Sequence, residues 1–387
     1  MKYNNTPVGI IPETWEIKKI SEITEIVTDY VANGSFASLA ENVMYKDTED
    51  IAVLIRLVDF NNNFNGDFVF IDEYAYEFLK KSKLYGGEII ISNVGANVGT
   101  VFKCPKLKYK MSLAPNSIMV KFHGCNEFYY QWLRGYNGQQ MLKSIVTGSA
   151  QPKFNKTNFK EMFVPVPPIE IQKQIASILS VLDDKIEQNN QINENLESQA
   201  QAIYQSMFIS THHETDRMGL LSELITVKYG KDHKKLNDGI YPVYGSGGIM
   251  RYVEKPIYEK ESVLIPRKGS LNNVMYVDEP FWSVDTMFYT EMKMPNAAKY
   301  VFHFVKSKDL ASLNAGSAVP SMTTDILNSM EVRIPSMERL AEFEELVAPL
   351  YRTIKGNICQ SASLASLRDT LLPKLMNGEI DVSEVKI

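Results

Sequence analysis

The sequence is short of cysteine, of long apolar runs and of net charge, and each shortage removes a class of protein. Only three cysteines occur in 387 residues, Cys104, Cys125 and Cys359. They are far apart and outside any CxxC spacing, so neither a disulfide framework nor a zinc site is expected. No stretch approaches about 18 consecutive uncharged apolar residues. The opening MKYNNTPVGI also lacks the apolar core of a signal peptide. A soluble, cytoplasmic protein with no membrane contact is expected. Glycine and proline, 21 and 17 residues, are too sparse for collagen-like or low-complexity chains. What is present, 44% apolar and 11% aromatic residues, suits two or three globular domains with real cores.

The net charge of −5 argues weakly against a nucleic-acid binder, but the sum hides the distribution. Residues 1–79 hold 5 Lys/Arg against 14 Asp/Glu, a balance of −9, whereas residues 80–160 hold 13 against 2, a balance of +11. The second block interleaves Lys80, Lys81, Lys83, Lys103, Lys106, Lys108, Lys110 and Lys121 with Tyr85, Phe102, Tyr109 and Phe122. A surface meeting a polyanion has that pattern, and so has a solvated lysine-rich face. A milder basic stretch, residues 217–275, has 10 Lys/Arg against 6 acids.

The chain repeats itself at an offset of 168. Gly148, Ser149, Ala150 and Pro152 recur as Gly316, Ser317, Ala318 and Pro320, and the offset continues through Pro167/Pro335, Leu182/Leu350, Ile186/Ile354, Asn189/Asn357 and Leu196/Leu364. Over 148–208 there are 13 identities in 61 positions, where roughly 4 follow from ordinary composition. Upstream, EIIISNVGANVG (88–99) aligns with SVLIPRKGSLNN (262–273) at 174, and Ile20–Ile23 with Leu221–Leu224 at 201. The second copy is therefore shorter by 201 − 168 = 33 residues, all ahead of the GSA turn. The expected plan is domain, helix, domain, helix.

Apolar side chains at Ile171, Ile175, Ile178, Leu182, Ile186, Leu196, Ala200, Ile203 and Met207 step by three and four, and Phe343, Leu346, Leu350, Ile354, Leu364, Leu371 and Leu375 repeat the stripe. Two equivalent stripes, each too long for a small domain to cover, predict mutual antiparallel packing, with Asn189 and Asn357 fixing register at the seam. A helix of roughly 39 residues would span about 58 Å. Pro349 and Pro373 predict a kink near 349 and a helix end near 372. Between the helices, EIIISNV, SIMVKF, SVLIP, NNVMYV and MFYTEM read as strands, with single helices around 126–145 and 296–313. Each domain is mixed α+β.

No catalytic constellation is legible. GxxxxGK[ST], HExxH and GxSxG patterns are missing. GANVG at 95–99 lacks the third glycine and acidic partner of a dinucleotide loop and reads as a tight turn. Asp285, Glu291 and Lys293 loosely imitate a nuclease cluster of a kind that arises by chance, and His212 and His213 sit in a polar connector without further ligands. No metal site is expected. What remains is binding. Gln151, Lys153 and Asn155 follow the first GSA turn, and Asn61 and Asn63 belong to an amide-rich loop. Amides pair with adenine edges while lysine and arginine serve guanine or phosphate, so these, with Lys81, Lys83, Lys103, Lys108 and Lys110, are candidate DNA contacts. The same residue types also build ordinary loops. In the second domain the equivalents are Lys231, Lys234, Arg251, Arg267 and Lys268, with Arg267 favoured for its planar fork.

Five phrases carry a resemblance across nearly the whole chain: VGIIPETWEIKKISEI at the start, GSAQPKFNKTNFKEMFVPVPPIEIQKQIASILSVLDDKI, YPVYGSGGI, PRKGSLNNV, and the closing LLPKLMNGEIDV. Together they resemble the specificity subunits of type I restriction–modification systems. The second GSA copy departs from the pattern at Val319, Ser321 and Glu338–Leu340. The resemblance implies an α+β protein with two mixed α/β target recognition domains, separated by a pair of long antiparallel coiled-coil helices in an internal pseudo-twofold repeat. On that plan the first target recognition domain covers 1–168 and a central helix 169–209. The second domain covers 210–336, a distal helix 337–376 and a C-terminal tail 377–387.

It further implies a non-catalytic reader of a bipartite site in double-stranded DNA. Helix length would set the half-sites roughly one to two duplex turns apart at most. Two methylation subunits would dock on the helices and bind S-adenosylmethionine. Restriction subunits, binding ATP and Mg, would join for cleavage, and this chain itself would hold no cofactor. The competing reading is a coiled-coil adaptor that does not read DNA.

Overall fold

The computed structural model describes residues 2–211, 213, 216–313 and 321–383. His212 and the second GSA turn, Gly316–Ala318 with Val319 and Pro320, lie outside the described residues. The chain divides into two compact units, Met1–Glu187 with Gln360–Ile387, and Gln188–Cys359.

In the first unit the core sheet has the order Thr24–Asp29, Ser117–Phe122, Ile89–Ser92, Val101–Lys103, every neighbour antiparallel. Its strands read as continuous apolar runs because both faces are covered. Ile89 and Ile91 enter a core shared with the helices, while Ile90 enters a second core with Met119 and Phe102. Beside it, Glu16–Lys19 pairs antiparallel with Phe163–Val166.

The second unit repeats this arrangement strand for strand. Its sheet runs Ile225–Tyr229, Met287–Met292, Ser262–Pro266, Met275–Val277, again antiparallel throughout. Arg217–Leu220 pairs with Glu331–Ile334. The short helices Ile20–Ile23 and Leu221–Leu224 follow the pairing strands at the offset of 201, and Lys156–Lys160 and Thr324–Asn328 correspond at 168.

The insertions differ. The first unit adds a mixed sheet, Val69–Ile71, Ala52–Ile55, Lys110–Leu113, Lys83–Leu84, in which Ala52–Ile55 and Lys110–Leu113 run parallel. The second adds the hairpin Tyr241–Gly245/Gly248–Val253, extended by Trp282–Ser283. The run IAVLI at 51–55, buried from Ala52 onward, was the missed signal for the first of these sheets.

The two long helices are Ile169–Tyr204, continued by a π-helical stretch over Gln205–Ser210, and Met337–Met376. Within each unit their halves run antiparallel. In the first, Ile175 and Leu179 share a core with Leu375 and Met376, and Asp183 accepts a 2.7 Å hydrogen bond from Arg368. In the second, Asn189 Nδ2 donates to the Asn357 carbonyl (3.5 Å), Asn357 Nδ2 to Asn193 Oδ1 (2.8 Å), and the Tyr204 ring meets Phe343. Ile175 and Asn189 are buried, whereas Leu182, Ile186, Leu196, Leu350, Ile354, Asn357 and Leu364 are half-buried, as a seam between only two helices leaves them.

Two expectations fail here. The distal helix does not end near 372 but runs unbroken through Pro349 and Pro373 to Met376. Pro349 and Glu345 are both exposed, so the carbonyl deprived of its partner can bond to water, and Pro373 lies in the last turn. The expected single helix over 126–145 is instead Asn126–Arg134 and Tyr136–Ser144, broken at Gly135, whose ψ of 166° is extended. The second piece folds back so closely that a side chain at Gly138 would strike the Trp132 carbonyl. The helix expected over 296–313 is Ala297–Lys306.

Candidate nucleic-acid interface

One corner of each unit is built by the same hydrogen bonds. In the first unit the strand Ile89–Ser92 runs into a turn at Asn93–Gly95. Asn93 N–H donates to the Asn116 carbonyl (3.0 Å), Phe154 N–H donates to the Asn93 carbonyl (3.0 Å), and Val94 bridges Lys153. In the second, Arg267 N–H donates to the Thr286 carbonyl (2.8 Å), Met322 N–H donates to the Arg267 carbonyl (2.9 Å), and Lys268 bridges Ser321. Gly95 and Gly269 close the two turns at φ of 101° and 84°, where a side chain is strained. Each corner thus presents a turn, a strand end and the segment after a GSA phrase on one exposed edge.

Side-chain chemistry distinguishes the corners. Asn93 turns inward, its Nδ2 donating to the Phe154 carbonyl (2.9 Å). Gln151 and Lys153 are exposed beside it, while Asn155 caps the helix Lys156–Lys160, its Oδ1 accepting from Asn158 N–H (2.8 Å). In the second unit Lys231, Arg267 and Lys268 gather round the turn Ser283–Met287. Lys231 N–H donates to the Ser283 carbonyl, and Gly230 approaches so closely that an added Cβ would strike the Val284 carbonyl. Arg267 Nη1 donates to the Asp285 carbonyl (3.3 Å), and its guanidinium lies 5.4 Å from the Tyr229 ring centroid. Ser246, at the tip of the hairpin, joins this corner through a hydrogen bond from Asn273 Nδ2 (2.8 Å).

The other sequence candidates do not converge on these corners. Lys83 pairs with Glu77 (2.6 Å), Lys103 with Glu127 (2.6 Å), Lys108 with Glu49 (3.2 Å) and Lys110 with Glu73 (2.8 Å). Five lysines of the basic block thus pair with carboxylates of the acidic block, Lys121–Glu25 and Lys156–Asp29 included, while Lys103–Glu127 lies within the basic block. Carboxylates hold the Lys83, Lys108 and Lys110 ammonium groups above the ordinary lysine range; for Lys108 the Tyr109 hydroxyl is the larger cause. Such exposed pairs are weak and salt-labile. Lys81 is exposed in a basic groove with Lys80, Lys83, Tyr85 and Lys121, at the far end of the core sheet from the corner. Asn61 ends the helix Leu57–Asn61, and Asn63 sits at φ of 51° in a loop closed by Arg56, whose Nη2 donates to the Asp67 carbonyl (2.8 Å). Lys234 lies in the loop 231–240, against which Arg251 donates to the Leu236 carbonyl and to Asp238.

Asn93, Asn116, Thr286 and Tyr229 were missed, although the 174-residue alignment that sets Asn93 opposite Arg267 was a usable signal. The loose nuclease pattern dissolves. Asp285 and Glu291 fall at opposite ends of the strand Met287–Met292, roughly 20 Å of chain apart, and Lys293 Nζ donates to the Ser222 carbonyl. Among the described residues no group of three His, Cys, Asp or Glu side chains is placed to hold a metal. Among the described residues, too, no helix is long and apolar enough to cross a membrane.

A family model described as type I restriction modification DNA specificity domain matches residues 12–198 and 218–354. The chain is similar to a type I restriction enzyme specificity subunit of Methanocaldococcus jannaschii, 23% identical over 99% of this chain and 98% of that protein. It also resembles the type I restriction enzyme EcoprrI specificity subunit of Escherichia coli, 20% identical over 67% of this chain and 70% of its relative. Among solved structures, the S subunit of a type I restriction–modification system from M. genitalium shares the fold, with a TM-score of 0.55 at 19% identity, covering 97% of this chain and 98% of that one.

Proposed function

The chain belongs to the type I restriction modification DNA specificity family, and from that premise we propose that it is the sequence-reading, non-catalytic subunit of a type I restriction–modification complex. The carrying observation is the duplicated corner. Two units with the same strand order and the same corner hydrogen bonds bear different side chains, Gln151 and Lys153 against Arg267, Lys268 and Lys231. A common scaffold with unlike polar readers is what recognition of two unlike half-sites requires, because hydrogen bonds to base edges carry the sequence information.

The chain binds DNA and assembles with other subunits of its system. Two methylation subunits, supplying S-adenosylmethionine chemistry, are the proposed partners, joined by ATP- and Mg-dependent restriction subunits. The half-buried seam residues Leu182, Ile186, Leu196, Ile354 and Leu364 support this reading, since a two-helix seam leaves apolar surface for partners to cover. The pairing of five lysines of 80–160 with carboxylates of 1–79 supports it too, because part of the positive clamp round a duplex would then come from partner subunits.

Methylome sequencing of the host with and without the gene tests the proposal. A split adenine-methylated motif should vanish with the gene. Exchanging residues 15–150 for those of a relative should alter one half of that motif only. Methylation by the purified chain alone, or an unaltered motif after the exchange, would refute it. An adaptor that does not read DNA finds no support in the family match.

A further inference from the structure

We propose that Arg267 is a guanine reader, and that it commits one position of the half-site recognised by the unit Gln188–Cys359 to a G·C pair; this rests on the DNA-reading function above. The backbone of Arg267 is held on both sides, its N–H by the Thr286 carbonyl and its carbonyl by Met322 N–H. The side chain is oriented as well. Nη1 donates to the Asp285 carbonyl at 3.3 Å, and the guanidinium lies over the half-exposed Tyr229 ring at 5.4 Å. A planar cation held against an aromatic face loses little freedom on binding, and its other N–H groups, which have no hydrogen-bond partner among the described residues, form the fork that matches guanine O6 and N7.

The neighbouring charges separate a base contact from a phosphate contact. Asp285, whose carbonyl orients the guanidinium, is itself exposed. Its carboxylate opposes a phosphate beside the guanidinium, and the exposed Lys231 and Lys268 at the same turn can serve the phosphates, which leaves the guanidinium for a base edge, where there is no net charge. The repeat-equivalent Asn93 directs its amide inward to the Phe154 carbonyl, so the first unit lacks a reader at this place. Guanine commitment through this corner is therefore confined to one half of the motif.

The experiment uses the complete complex, with this chain co-expressed beside its own methylation subunits, and reads methylated adenines genome-wide for wild type, Arg267→Ala and Arg267→Gln. With Arg267→Ala, the preference for guanine at one position of one half-site should fall roughly tenfold to hundredfold, leaving the other half unchanged. Arg267→Gln should move that position toward adenine, since a glutamine amide matches adenine N6 and N7; a folding defect cannot produce such a shift. Retention of guanine at every position in both variants overturns the proposal, as does an even loss of methylation with no change of motif. If the wild-type complex yields no split motif at all, the functional reading itself fails, and that result is distinct from either.

Discussion

Acidification should loosen the second unit through a single buried imidazole. His303 lies within the helix Ala297–Lys306 and is 1% exposed. Its Nδ1 is 2.7 Å from Gln201 Oε1 on one long helix, and its Nε2 is 3.0 Å from the Tyr351 hydroxyl on the other. An amide oxygen can only accept, so Nδ1 carries the proton and Nε2 accepts from the tyrosine, which assigns the neutral tautomer from the network. Burial pushes the ring down to about 4, and the Lys306 ammonium acts in the same direction.

Because the folded form binds its proton more weakly than the unfolded one, whose ordinary value is 6.5, the stabilisation is complete above 6.5 and is lost as pH falls toward 4. The full gap corresponds to roughly 3 kcal/mol, of which about 2 kcal/mol is lost between pH 7 and pH 5. Urea unfolding at both pH values, for wild type and for the non-titrating His303→Gln, isolates this contribution, since the other titrating groups are common to both chains. The wild-type drop should exceed that of the variant by about 2 kcal/mol. Equal drops, or a histidine NMR resonance missing from the variant that titrates near 6.5, would refute the reasoning.

Asp183→Ala removes the acceptor shared by Arg368, Arg134 and Gln131. It should lower stability in urea by about 2 to 3 kcal/mol, less than for a fully buried pair, because the Arg368 and Asp183 side chains retain 18% and 22% exposure. Lys153→Ala should weaken duplex binding by the assembled complex evenly across sequences and reduce the slope of log affinity against log salt by about 1; a change of motif instead would make Lys153 a base reader. Gly230→Ala would force a Cβ onto the Val284 carbonyl and should cost about 2 kcal/mol, with loss of specific methylation. Normal Tm and methylation in that variant would mean that the corner is not held as described.

The sequence by itself determined the duplication, and with it most of the architecture. Offsets of 168, 174 and 201 each reappear as equivalent elements, Phe163–Val166 with Glu331–Ile334, Ile89–Ser92 within Ser262–Pro266, and Glu16–Lys19 with Arg217–Leu220. Repeats and helical stripes are legible because they depend on local spacing, and the seam asparagines Asn189 and Asn357 could be paired from periodicity alone. Only the tertiary structure decided which polar groups remain available. Lys83, Lys108 and Lys110 look like a free basic surface in the linear chain, yet the fold sets Glu77, Glu49 and Glu73 beside them. Asn93 and Arg267 look unrelated until the strands bring each against the segment that follows a GSA phrase. Charge pairing and corner geometry join residues far apart in the chain, Lys156 with Asp29 across 127 positions. No local pattern encodes such a meeting, because it is fixed by strand order and not by neighbours in the chain.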